Sequence, residues 1–124
     1  MRVPNGMLRV EIDDPADRLI TEPSGLIRGW FGSRDQELPE TFEFRINGMI
    51  VPHRLVSRPD VEGAMPDHHI VGFDIQYNLS AYLPYIEDSR FTMCLTMPDY
   101  DSYPVRFKIK DHALAICLAA ASAI

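Results

Sequence analysis

Little in this chain would staple it, anchor it or give it a basic face. Among 124 residues there are two cysteines, Cys94 and Cys117, and one tryptophan, Trp30. Two thiols do not make the disulfide framework of a small secreted scaffold. The opening stretch, MRVPNGMLRVEIDD, lacks the apolar segment of roughly 7–15 residues that marks a secretory signal. The expectation is a cytoplasmic chain with free thiols, although nothing in the sequence dictates whether Cys94 and Cys117 pair. The one strongly apolar run, ALAICLAAASAI at residues 113–124, falls short of the roughly 20 residues a helix needs to cross a bilayer, so no membrane span is expected. Cationic runs are missing too. Twelve Lys and Arg face eighteen Asp and Glu for a net charge of −6, and the basic residues are scattered, with nothing longer than the alternating Arg106, Lys108 and Lys110. Non-specific affinity for nucleic acid needs clustered cations that release counterions from phosphates, so nucleic acid is not an expected partner.

Signatures of chemistry are equally sparse. Asp67-His68-His69 contains metal-ligand residue types, but adjacent histidines point apart and no second ligand pair stands at a recognisable spacing, so no metal and no cofactor are expected. No nucleophile elbow surrounds any serine. Cys94 lies in an alternating segment without a basic neighbour to lower its pKa. Asn78-Leu79-Ser80 matches a glycosylation acceptor and, with no secretory route expected, is read as coincidence. The expectation is a protein that is not an enzyme.

What the chain does have is alternation. Hydrophobic residues make up 46% and charged residues 24%, ordinary values for a globular chain with one core. Residues 41–51, TFEFRINGMIV, alternate Phe42, Phe44 and Ile46 with Glu43 and Arg45 before Asn47-Gly48, the pattern of a half-buried strand entering a type I′ hairpin turn. The chain then returns over residues 49–56. A first strand is predicted at Leu8, Val10 and Ile12, ended by Asp14-Pro15, because proline offers no ladder donor. A second strand covers residues 25–32, where Gly29 beside Trp30 marks a close approach of another backbone or of the indole ring. Residues 33–40 are a polar connection. Residues 57–69, with two prolines and a glycine, read as a long loop with one helical turn near Val61, where the chain changes sheets. Further strands follow at Val71, Phe73 and Ile75, at Phe91, Met93, Leu95 and Met97, and at Val105, Phe107 and Ile109. A crossover around Leu79, Tyr82, Leu83 and Ile86 plugs one end.

About seven short strands without helices between most of them imply antiparallel pairing and an all-β fold: a two-sheet sandwich, with a small barrel as the alternative. Its core is expected at the inward residues of each strand, Phe44, Phe73 and Phe107 among them. Residues 1–110 form the sandwich. Residues 111–124 form a short apolar helix or linker, with Asp111 as its N-cap. A helix apolar all round must be covered, by the sandwich, by a sister chain in a homo-oligomer, or by a further domain.

Ile27-Arg28-Gly29-Trp30, the Asn47-Gly48 turn, Arg58-Pro59-Asp60-Val61 and Gly72-Phe73 are spaced like the GW, DG, R-x-D-V and GF landmarks of small immunoglobulin-like β-sandwich modules. Such modules lie beside glycosyltransferase and methyltransferase domains in bacterial proteins. The resemblance spans roughly residues 25–110. The chain departs from the pattern at Phe31-Gly32, where a small residue and an acid are more usual, and at Asn47 in place of Asp. The resemblance implies a non-catalytic accessory module without a defined ligand of its own. The expected role is docking, through an exposed sheet and the Ala-rich tail, to a fused or partner transferase domain or to a second copy of the chain. The alternative is a carbohydrate-binding module. Sugars stack their C–H faces on aromatic rings while carboxylates bond their hydroxyls, so Tyr100 and Tyr103 with Asp99 and Asp101 form a candidate glycan platform, to which Trp30 is added. Arg58 and Asp60 are candidates to bind a ligand or to tie the 57–69 loop down by mutual hydrogen bonds.

Overall fold

The computed structural model describes residues 2–34 and 37–122. Asp35 and Gln36 of the expected polar connection, and Ala123 and Ile124 of the tail, lie outside the described residues.

Among the described residues, nine strands form two sheets. The first contains β1 (Leu8–Asp14), β3 (Ser24–Ser33), β7 (His69–Asn78) and β6 (Arg54–Val56), in the order β1-β3-β7-β6. The second contains β2 (Leu19–Ile20), β9 (Tyr103–Ile109), β8 (Arg90–Thr96), β4 (Glu43–Ile46) and β5 (Met49–Val51), in the order β2-β9-β8-β4-β5. The period of two puts one side of each strand inside. Leu8 and Val10, Phe44 and Ile46, Phe73 and Ile75, Phe91, Met93 and Leu95, and Val105, Phe107 and Ile109 are all buried, with Ile12, Phe42 and Val71 half-buried against them. Aromatic rings bridge the layers: Phe44 meets Phe73 at 4.6 Å between centroids, and Phe42 meets Phe31 edge-on at 4.9 Å. Each such side chain, fully buried, stabilises the fold by roughly 1.5–3 kcal/mol. Two separate ladders joined through side chains make a sandwich and not a closed barrel.

Three expectations need correction. The strand set is not purely antiparallel, because Leu19 and Ile20 pair in parallel with Lys108 and Ile109. Asp17 and Arg18 take left-handed backbone angles (φ 58° and 56°) that swing the chain off β1 and across to the other sheet. Residues 49–56 are not one strand either. β5 pairs with β4, whereas β6 pairs with β7, so the sheet change falls at Pro52-His53 and not in residues 57–69. Pro52, lacking an N–H, cannot extend the β5 ladder, and the chain leaves it there. The third concerns turns. Asn47 adopts φ 54° but no glycine has positive φ among the described residues, so the Asn47-Gly48 turn is not type I′. The type I′ signature instead occurs at Asp88 and Ser89 (φ 52° and 57°), between Glu87 and Arg90, which exchange both backbone hydrogen bonds.

The connections are partly helical. The helical turn near Val61 is α1 (Pro59–Ala64), and the crossover contains α2 (Leu79–Tyr82), whose Leu79 and Tyr82 are buried. α3 (Asp111–Ser122) begins at Asp111, placing that carboxylate in the first turn, at the positive end of the helix dipole, instead of at the cap. Lys110 N donates to Ile20 O at 2.8 Å, and His112 Nε2 donates to Thr21 O at 2.8 Å, fixing the start of α3 beside β2. Ala113 and Cys117 turn inward, and α3 lies against α2. Cys94 and Cys117 are free thiols, one half-buried on β8 and the other buried under α3.

Candidate interaction surfaces

Trp30, Arg58 and Asp60 belong to one structure on the outer side of the four-stranded sheet. Trp30 points away from the core, in register between Glu11 and Gly72, yet is only 5% exposed. Residues 58–65 fold back over this face. Arg58 Cγ lies directly above Gly72, and Met65 Sδ lies 4.0 Å from Arg9 Nη1, whose guanidinium carbon stands 5.4 Å from the indole centroid. Arg58 pins the strap: Nε and Nη2 donate to the two Asp60 oxygens at 3.1 and 3.0 Å, and Nη1 donates to Asp13 Oδ2 at 2.6 Å. These bonds, to Asp60 first and then Asp13, push the guanidinium pKa up, and the bond from Arg58 holds the Asp60 carboxyl below its ordinary value. Arg58 and Asp60 therefore tie the loop down, and Trp30 is a covered ring. Asp13, on an edge strand 45 residues away, was not visible as their partner.

The last hairpin turns Tyr100 inward and leaves Asp99 and Asp101 exposed. The amino-terminal segment is stitched along it, with Val3 N donating to Asp99 O at 2.6 Å and Asp101 N donating to Val3 O at 2.9 Å. Arg2 Nη2 donates to Tyr100 O, and Arg2 Nε to Asp101 Oδ1 at 3.0 Å. Tyr100 is 4% exposed, its ring turned inward and its hydroxyl without a hydrogen-bond partner among the described residues. Tyr103 is half-buried, so of the four candidate residues only Asp99 and Asp101 are fully exposed. A buried ring offers no face for stacking.

Two other groupings escaped the sequence reading. Asp74, 5% exposed on the outer face of β7, lies in register between Arg28 and Arg54, with Arg54 Nη2 at 2.9 Å and Arg28 Nε at 3.4 Å. The pairings Arg28↔Asp74 and Arg54↔Asp74 follow from strand register, which no local pattern reveals. Asp67 is held by Arg34 at 3.1 Å and by His68 at 2.9 Å, and no group of three metal-ligand side chains occurs among the described residues. The other grouping is cationic: Arg90 lies opposite Lys108, and Arg106 opposite Thr92, all on the outer face of the five-stranded sheet. The alternation of Arg106, Lys108 and Lys110 was the visible half of that signal.

Apolar surface remains on α3, where Ile116 is 52% exposed and flanked by exposed Ala115, Ala119 and Ala120. No helix among the described residues is long and apolar enough to cross a membrane. Comparison with protein-family models, with curated proteins and with solved structures finds no match.

Proposed function

We propose that this chain is a non-catalytic accessory module with an immunoglobulin-like sandwich, serving to dock another protein or domain. The strand order supports the fold half of that reading. β1-β3-β7-β6 corresponds to the A-B-E-D sheet of immunoglobulin domains, and β9-β8-β4-β5 to G-F-C-C′. The docking half is carried by α3, which buries Ala113 and Cys117 against the fold while turning Ile116 outward. Ile116 with its exposed neighbours Ala115, Ala119 and Ala120 gives α3 an apolar surface, and apolar surface of this kind supports a docking reading. The landmarks shared with modules beside glycosyltransferase and methyltransferase domains make a transferase the class of partner, and a second copy of the chain the competing one. The glycan reading has no comparable support, because Tyr100 is buried.

Sedimentation of the wild type and of Ile116→Glu tests the role of the helix. Concentration-dependent association that disappears in Ile116→Glu, with an unchanged circular dichroism spectrum, supports docking through α3. Association of equal strength in both proteins refutes it. If the wild type is monomeric throughout, the self-docking arm fails, and an accessory transferase must then bind the wild type and not Ile116→Glu.

A further inference from the structure

We infer that the outer face of β8 and β9, with the hollow beside it, is a binding site for a compact phosphate-bearing polyol of the sugar-phosphate class. The first observation is how the cations are neutralised. Every arginine from Arg2 to Arg58 except Arg18 has a carboxylate oxygen within 4.0 Å. Arg18 lines a separate hollow with Glu11 and Asp17. Beyond Arg58 the pattern reverses: Arg90, Arg106, Lys108 and Lys110 are exposed, and none has an ion-pair partner among the described residues. In a chain of net charge −6, the unneutralised positive charge thus collects on one sheet face.

Register concentrates it further. Arg90 and Lys108 are direct cross-strand partners, and Thr92 and Arg106 form the next pair on the same face. Neighbours on one face stand about 5 Å apart across the strands and about 7 Å apart along them. Like charges set directly opposite one another destabilise a sheet, and a bound anion removes that repulsion. The spacing suits one phosphate gripped by two guanidinium groups and a hydroxyl, with Lys108 adding charge.

The hollow supplies the rest of the ligand. It encloses about 630 Å³ between this face, the Asn47 turn and the Asp88 turn. Arg90, Thr92 and Arg106 line it together with Glu87, Asp88 and Asn47, Glu87 being paired with Arg90 across the tight turn. Carboxylates at that position repel a polyanion such as nucleic acid, but they accept hydrogen bonds from neutral hydroxyls. Tyr85 and Ile86 contribute an apolar wall for C–H groups. Cationic donors and carboxylate acceptors lining one hollow match a molecule with an anionic group and a hydroxylated body.

The test is amide-resolved NMR titration at about 150 mM salt, where loose surface attraction is screened, using inorganic phosphate, glucose and glucose 6-phosphate as probes. Glucose 6-phosphate is expected to shift the amides of Asp88, Arg90, Thr92 and Arg106, and to bind about fivefold or more tighter than inorganic phosphate, with glucose alone silent. Arg106→Gln is expected to weaken binding about tenfold, as loss of one charge-assisted bidentate contact does. Lys108→Gln serves the same purpose if Arg106→Gln loses its dispersed spectrum, and Arg34→Gln is the control that should bind as wild type. Equal affinity for inorganic phosphate and glucose 6-phosphate marks a simple anion site and overturns the polyol assignment. Absent shifts, or binding untouched by the β9 substitutions, overturn the site itself. None of these readouts depends on α3, so they fail or succeed separately from the docking proposal.

Discussion

Gly72→Ala is the sharpest probe of the strap over Trp30. Gly72 lies between Trp30 on β3 and Val56 on β6. A methyl group here would collide with Val56 O and with Arg58 Cγ, the first a backbone atom that cannot swing aside. Its φ is not positive, so the penalty is one of space and not of backbone preference. Forced overpacking costs roughly 1–3 kcal/mol. For a chain of this length each kcal/mol is worth about 4 °C, so the melting temperature should fall by roughly 4–12 °C. Gly63 provides the matched control: it sits in α1 with open space around it, and alanine there should stabilise by roughly 0.5–1 kcal/mol through helix propensity alone. The same chemical change thus has opposite signs at two positions nine residues apart in the sequence. Because Trp30 is the only tryptophan, native-state fluorescence reports the strap directly. Lifting Arg58 and β6 away from the sheet should shift Gly72→Ala emission to the red, while Gly63→Ala emits like wild type. A Gly72→Ala protein that melts with wild-type behaviour and unchanged emission would show that the strap is not close-packed, and the account of Trp30 burial would fall with it.

Three further expectations concern other parts of the molecule. His53 stacks on Phe42 at 4.4 Å, and burial holds its pKa below the ordinary 6.5. The unfolded chain therefore takes up the proton first as pH falls. This contribution to stability is intact above 6.5 and declines as pH drops from there toward the folded-state value. Urea midpoints compared between pH 7.5 and 5.5, about one unit either side, should fall more for wild type than for His53→Gln, and equal slopes would refute the sign. Ser89→Gly relieves a left-handed backbone angle costing roughly 1–2 kcal/mol, against a glycine entropy penalty of roughly 0.5–1, for a net gain of roughly 0.5–1 kcal/mol in denaturant unfolding. A destabilised Ser89→Gly would mean that the serine side chain supports the turn. Cys94 is half-buried on the outward side of β8 and Cys117 is 2% exposed. A thiol reagent should therefore label Cys94 in the native protein and Cys117 only on unfolding, and native labelling of both would place α3 off the fold.

Alternation of apolar and polar residues was enough to read β1, β4, β7, β8 and β9 and their inward-facing side chains, because a strand with one buried face carries that information in its own few residues. β3 was legible as a strand, but its mix of Leu26, Ile27, Trp30 and Phe31 did not show which face lies inside. Glycine and proline likewise carried local meaning. Gly29 was read as a site of close approach, and a methyl there would press on the Glu11 carbonyl. β2 escaped because a two-residue strand leaves no period, and the break between β5 and β6 was masked by apolar residues continuing across Pro52.

Partnership between distant residues was beyond any local pattern. Arg58 finds Asp13 across 45 positions, Arg28 and Arg54 meet at Asp74, and Arg90 comes to lie beside Lys108, only because particular strands pair in a particular register. Tyr100, placed in a turn by the sequence, was turned inward once the amino-terminal segment paired with it. The sequence by itself thus determined where the strands run and which of their faces is greasy. Which strands became neighbours, and therefore which charges were cancelled and which were left facing water, was decided only when the whole chain closed, since hydrogen-bonded pairing joins residues that share no stretch of sequence.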